Sequence, residues 1–142
     1  MNKRNQLLSD LHNLELDRQA IQMMHDDISS LSDDIKTLSD DINSDIQTDR
    51  PGAALDSLLQ EKQSLFSRML VTVNHVSRLE RLLQQLSPDE RLVIDRMLVH
   101  PDRNAVLGLM ESLHCEKTCV YSLRAQAIQK LLRLRWGASA EE

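Results

Sequence analysis

Residues 14–42 read LELDRQAIQMMHDDISSLSDDIKTLSDDI. Leu14, Ile21, Ile28, Ile35 and Ile42 recur every seven residues, and Met24, Leu31 and Leu38 follow three positions after three of them. A 4-3 spacing of apolar residues marks one stripe of a long helix that packs against another helix. Ile at the first position with Leu at the second favours two-stranded parallel packing in isolated coiled coils. Asp17 and Asp45 occupy the second position at the two ends and weaken the seam there. The pairs Asp26-Asp27, Asp33-Asp34 and Asp40-Asp41 repeat at the same interval beside the seam and read as a solvated acidic face.

Outward from this stretch, TDRPGAA at residues 48–54 holds the chain's one Pro-Gly pair and interrupts the helical pattern. A second heptad follows. Leu55, Met69, Val76 and Leu83 take one position and Leu58, Leu65, Leu79 and Leu86 the other, with Lys62 and Thr72 as exceptions. This predicts a helix from about Ala53 to Leu86, folded back on the first as an antiparallel hairpin. Residues 1–86 therefore read as a coiled-coil hairpin. Leu7, Leu11, Leu59, Phe66, Leu70, Val73 and Leu82 fall off the seam, and that leftover apolar surface predicts self-association. A homodimeric four-helix bundle is the first expectation, and a parallel dimer through the first helix the second. Leu14, Ile21, Ile28, Leu31, Ile35, Leu38 and Ile42 are the expected dimerisation residues.

The whole composition agrees with an all-α fold. Three Gly, three Pro and 2% aromatic residues among 142 are too few for a sheet-rich domain with many turns. The opening MNKRNQLLSD has no apolar run of signal-peptide length, and 18 consecutive apolar residues occur nowhere, so a soluble, cytoplasmic chain is expected. Cys115 and Cys119 lie four apart and read as reduced thiols. With His114 they make three possible ligands in six residues, but at no established zinc spacing, and no metal or cofactor is expected. Walker loops, Gly-x-Ser-x-Gly and His-Glu-x-x-His are absent from the sequence, so no catalytic residue is assigned and an enzyme is not expected.

Charge divides the chain more sharply than composition. Residues 1–50 carry 5 Lys or Arg against 11 Asp or Glu, a net of −6, whereas residues 113–137 carry 5 against 1, a net of +4. Such asymmetry fits a chain that presents one end to a polyanion. The basic end follows a strong helix start in LSPDERLVIDRMLVHP, where Ser87, Pro88 and Glu90 supply an N-cap, a first-turn proline and a capping box. A short helix in NAVLGLMESLH, a break at His114–Glu116 and a basic helix come next. Two short helices, a tight turn and a basic helix are the order of a helix-turn-helix in residues 87–142.

LSPDERLVIDRML followed by LMESLHCEKTCVYSLRAQAIQKL resembles region four of bacterial sigma factors and related phage regulators, with Leu109, Leu113, Val120, Ala127 and Leu131 on the apolar positions. VYSLRAQAI, Val120–Ile128, is similar to a motif of the RinA and ArpU family of phage late-gene transcription regulators, which join a coiled-coil half to a sigma-like helix-turn-helix. The resemblance covers about residues 86–132. His114 stands where the family has its turn glycine, and Glu116 where it has a Ser or Thr cap.

The resemblance implies double-stranded DNA binding and control of phage or prophage late or packaging genes, with contact to RNA polymerase. It places Lys117, Thr118, Tyr121, Ser122, Arg124 and Gln126 on the DNA-facing side of the recognition helix. Lys130, Arg133 and Arg135 extend the positive charge beyond the motif, and Trp136 reads as a tether against a neighbouring helix. The competing expectation is a protein-interaction adaptor or anti-repressor, with a degenerate helix-turn-helix and an acidic coiled coil that engages a partner.

Overall fold

The computed structural model describes residues 2–44 and 51–141. Their regular elements are all helical, with no strand among the described residues, and the main helices run in the order α1 Lys3–His12, α2 Leu14–Ser44, α3 Pro51–Gln84, α4 Pro88–Ile94, α5 Ala105–Leu113 and α6 Lys117–Trp136. The expected break at 48–54 lies outside the described residues up to Arg50. From Pro51 onward the chain is already helix, which suits a residue whose missing N–H costs nothing in a first turn.

Two compact units divide the chain, one formed by Met1–Leu16 together with Val76–Glu142 and the other by Asp17–His75. The second unit is the helical hairpin expected from the heptads. Its helices meet where His75 Nε2 lies 3.9 Å from the Asp17 carboxylate. The seam residues Ile21, Ile28, Leu31, Ile35 and Leu38 are only half-buried, and the side chain of Ile42 lies outside the described residues.

The first unit does not follow the division expected at Leu86 and Ser87. Leu7, Leu11 and Leu14 are buried at 0%, 1% and 0% exposure, in the same unit as Val76 and Leu79 of α3, Leu86 in the turn after it, and Val93, Ile94, Ala127, Ile128, Leu131 and Leu132 further along. Leu7 and Leu11 are thus core, where the sequence pattern left them over for self-association. Leu14 is likewise enclosed within its own chain, so it is withdrawn from the expected dimer seam. The cause is long-range: α1 packs against α6 and against the turn that continues α4, and a heptad cannot report such a pairing.

Local chemistry fixes the joints of this unit. Asn2 caps α1 by accepting from the Asn5 N–H at 2.7 Å. The Ser87 hydroxyl accepts from the Glu90 N–H at 3.2 Å while Glu90 Oε1 accepts from the Ser87 N–H at 3.0 Å, completing the capping box. Arg91 satisfies carbonyls at the end of α3, donating from Nε to Leu83 at 3.2 Å and from Nη2 to Gln84 at 3.1 Å. Beyond Ile94 the helix widens into a π-helical turn, Asp95–Val99, closed by the His100 N–H donating to the Asp95 carbonyl at 2.7 Å. The His100 ring bridges Asp95 Oδ1 at 2.9 Å and Glu15 Oε2 at 3.3 Å, and those carboxylates raise its pKa above the ordinary 6.5.

Candidate nucleic-acid interface

Three helices of the first unit, α4, α5 and α6, close around Val93, Leu109 and Val120, exposed 0%, 1% and 0%. Leu92, Met97, Val106, Met110, Leu113, Cys115 and Leu123 pack against that cluster. One apolar residue from each helix stands at the centre and packs α5 and α6 together beside their connecting turn.

The turn is three residues long. His114 takes the left-handed conformation, φ 52° and ψ 45°, and is the described non-glycine residue with positive φ. The Cys115 N–H donates back to the Met110 carbonyl at 3.2 Å, the six-to-one bond of a Schellman ending. Glycine is favoured at such a position because a Cβ there costs about 1–2 kcal/mol. Glu116 is extended, φ −81° and ψ 167°; its carbonyl accepts from the Val120 N–H at 3.2 Å, but its carboxylate makes no capping bond. The acid at the head of α6 is therefore not consumed by the helix end.

Along α6, Val120, Ala127, Ile128 and Leu131 turn inward and are buried at 0%. Of the residues expected to face DNA, Lys117, Thr118, Tyr121, Ser122 and Gln126 are exposed. Arg124 is half-buried. It lies four residues from both Val120 and Ile128, so helical periodicity turns its stem toward the core side and leaves only its head for solvent. Gln129 and Arg133 are exposed and share a face with Thr118 and Ser122 at helical spacing. That face is longer than the motif indicated, and stepping by fours and sevens from Thr118 would have found it. Lys117 Nζ sits 6.0 Å from the centroid of the Tyr121 ring, a loose cation–π contact that biases both side chains outward.

Not all of the helix's positive charge is available to a ligand. Lys130 Nζ lies 3.5 Å from Glu90 Oε1, and Arg135 Nη1 lies 2.7 Å from Asp10 Oδ2. These two pin α6 to α4 and α1. The Ser87 N–H holds the Glu90 carboxyl below its ordinary 4.5; burial opposes this, and the Ser87 hydroxyl and Lys130 reinforce it. Arg135 also stacks over the Trp136 ring at 4.5 Å, and Trp136 is half-buried. Lys117, Arg124 and Arg133 are the basic side chains of α6 that remain for a partner.

Among the described residues, no group of three or more His, Cys, Asp or Glu is placed to hold a metal ion, and no helix is long and apolar enough to cross a membrane. Comparisons with protein-family models, curated proteins and solved structures find no match to this chain.

Proposed function

We propose that the protein is a DNA-binding transcription regulator that reads double-stranded DNA with α6. The observation that carries this reading is the turn between α5 and α6: three residues, a left-handed His114 where a helix-turn-helix has glycine, and a helix beyond it with five Lys or Arg and no acid. Thr118, Ser122, Gln126 and Gln129 supply hydrogen-bonding side chains for base edges, and Lys117 and Arg133 supply charge for phosphates. Major-groove entry requires such a face on one side of one helix, and the three-helix packing leaves it uncovered by α4 and α5.

The second unit is the dimerisation element in this reading. Its half-buried Ile21, Ile28, Leu31, Ile35 and Leu38 are stabilised by a second copy, giving two recognition helices and a two-fold site. The resemblance to phage late-gene regulators puts the target among phage or prophage late or packaging genes, with RNA polymerase as the second contact.

The test is a titration of the full chain with double-stranded fragments from a random-sequence pool at several salt concentrations. Binding is expected to fall steeply with salt, and Lys117→Ala and Arg133→Ala are each expected to reduce the salt slope by about 1. Absence of binding at low salt, where electrostatic attraction is strongest, would leave the adaptor reading in its place, with the acidic α2 face as the partner surface.

A further inference from the structure

His100 joins two stretches of the first unit that lie 85 residues apart in the chain. Its backbone N–H closes the π-helical turn on the Asp95 carbonyl at 2.7 Å. The extra residue in that turn carries position 100 off the line of an α-helix, and the ring stands between two carboxylates, with Asp95 Oδ1 2.9 Å from Nδ1 and Glu15 Oε2 3.3 Å from Nε2. Asp95 belongs to the turn itself. Glu15 belongs to the first turn of α2, next to Leu16, the last residue of the first unit before the hairpin.

A ring held in this way responds to its proton. An imidazolium carries an N–H on each nitrogen and donates to both carboxylates at once, whereas a neutral imidazole has one N–H and turns the lone pair of its other nitrogen toward a negative oxygen. The shorter bond decides which side survives. Asp95 is the nearer acceptor and sits in the same turn as the ring, so Nδ1 keeps its proton, Nε2 gives its own up and Glu15 is turned away.

We propose that His100 is a proton-operated latch: charged, it ties the first turn of α2 to the turn after α4 through Glu15; neutral, it lets that turn of α2 go. This goes beyond the DNA-binding reading and stands without it. Asp95 and Glu15 are the charged groups that act on the ring; both hold its proton against a weak opposing effect of burial, and its pKa lies above the ordinary 6.5. The link is therefore complete below pH 6.5 and is lost as the pH rises through the folded value. On α1 and α4, which pack against this turn, Asp10 is engaged by Arg135, Glu90 by Lys130 and Arg91 by carbonyls at the end of α3. The helix α5 packs there too, and its one acid, Glu111, does not act on the ring. Leu14 limits what is released. Its side chain is fully enclosed, so α1 and the corner after it stay in place and the turn beyond Leu14 gains the freedom.

An NMR titration of the full chain from about pH 5 to about pH 9 tests this. Ring-nitrogen chemical shifts should show both nitrogens protonated at the acid end and Nδ1 alone at the alkaline end, and Glu15→Gln should weaken the ring's proton affinity about threefold. Amide-exchange protection at residues 15–18, corrected for the intrinsic pH dependence of exchange, should fall about threefold across the same midpoint. His100→Gln should hold that protection at the lower level throughout. Two other histidines stand near these residues, His12 in the chain and His75 in space, 3.9 Å from Asp17; His12→Gln and His75→Gln should each leave the change intact. Protection that stays level while the ring titrates would reduce His100 to a surface ion pair that holds nothing, and a proton left on Nε2 alone would put the release on the wrong side. Either result overturns the proposal, as would loss of the change in His12→Gln or His75→Gln.

Discussion

The two units of this molecule contain the same apolar residue types at similar helical spacings and bury them very differently. Among the described residues, the unit formed by the chain's two ends encloses Leu7, Leu11, Leu14, Val93, Ile94, Leu109, Val120, Ile128 and Leu131 at 1% exposure or less. In the hairpin, Leu65 at 8% is the one buried hydrophobic among the described residues, and Leu59, Phe66 and Leu70 are exposed by 45%, 47% and 44%. Two helices side by side shield each other on one stripe only, whereas helices meeting from several directions shield a residue all round. The first unit thus encloses a core of its own, whereas the hairpin leaves most of its apolar residues half-covered or exposed.

The sharpest way to break this contrast is truncation on both sides of it. Leu131→Ala should destabilise the first unit by about 2–5 kcal/mol, because it removes a fully enclosed side chain and leaves a cavity. Ile28→Ala, half-buried in the hairpin, should cost the folding of the single chain about 1 kcal/mol. Chemical denaturation followed by circular dichroism would check both, and equal losses would erase the distinction.

A smaller effect tests the joint between α3 and α4. Ser87→Ala should cost about 1 kcal/mol through loss of the cap. The Glu90 carboxyl is depressed in the folded protein, so its stabilisation is present in full above about pH 4.5 and drains away as the pH falls through the folded value. Glu90→Gln should therefore show a flatter loss of stability than the wild type on acidification below pH 4.5.

Smallest is the turn itself. His114→Gly relieves the left-handed strain at a cost in unfolded-state entropy, and a net gain of at most about 1 kcal/mol is expected in thermal unfolding. A loss on that substitution would mean that the His114 side chain contributes contacts of its own.

How much of this could be read from the sequence follows the range of the interactions. The heptads of α2 and α3 and the Ser87–Glu90 capping box are local patterns, and they reappear as helices with ends close to those expected. The corner at His114 was legible because a turn between two helical runs needs a residue in a rare conformation, and the spacing left three candidates. The burial of Leu7, Leu11 and Leu14 was not legible, since it depends on α6, more than a hundred residues away. Nor was the π-helical turn at Asp95–Val99, for which the sequence holds neither Pro nor Gly as a marker. Arg124 is an instructive case: the resemblance implied a DNA-facing position, but Val120 and Ile128 four residues to either side already placed its stem toward the core.

The central claim, that the exposed face of α6 binds DNA, is tested most directly by placing one negative charge in each region. Ser122→Glu puts it on that face, and Ser29→Glu puts it on an exposed position of α2. Both leave the buried residues untouched. In a titration against the same double-stranded DNA at low salt, Ser122→Glu is predicted to weaken binding about tenfold or more, and Ser29→Glu to leave it near that of the wild type. Equal affinities for the two variants would contradict the account.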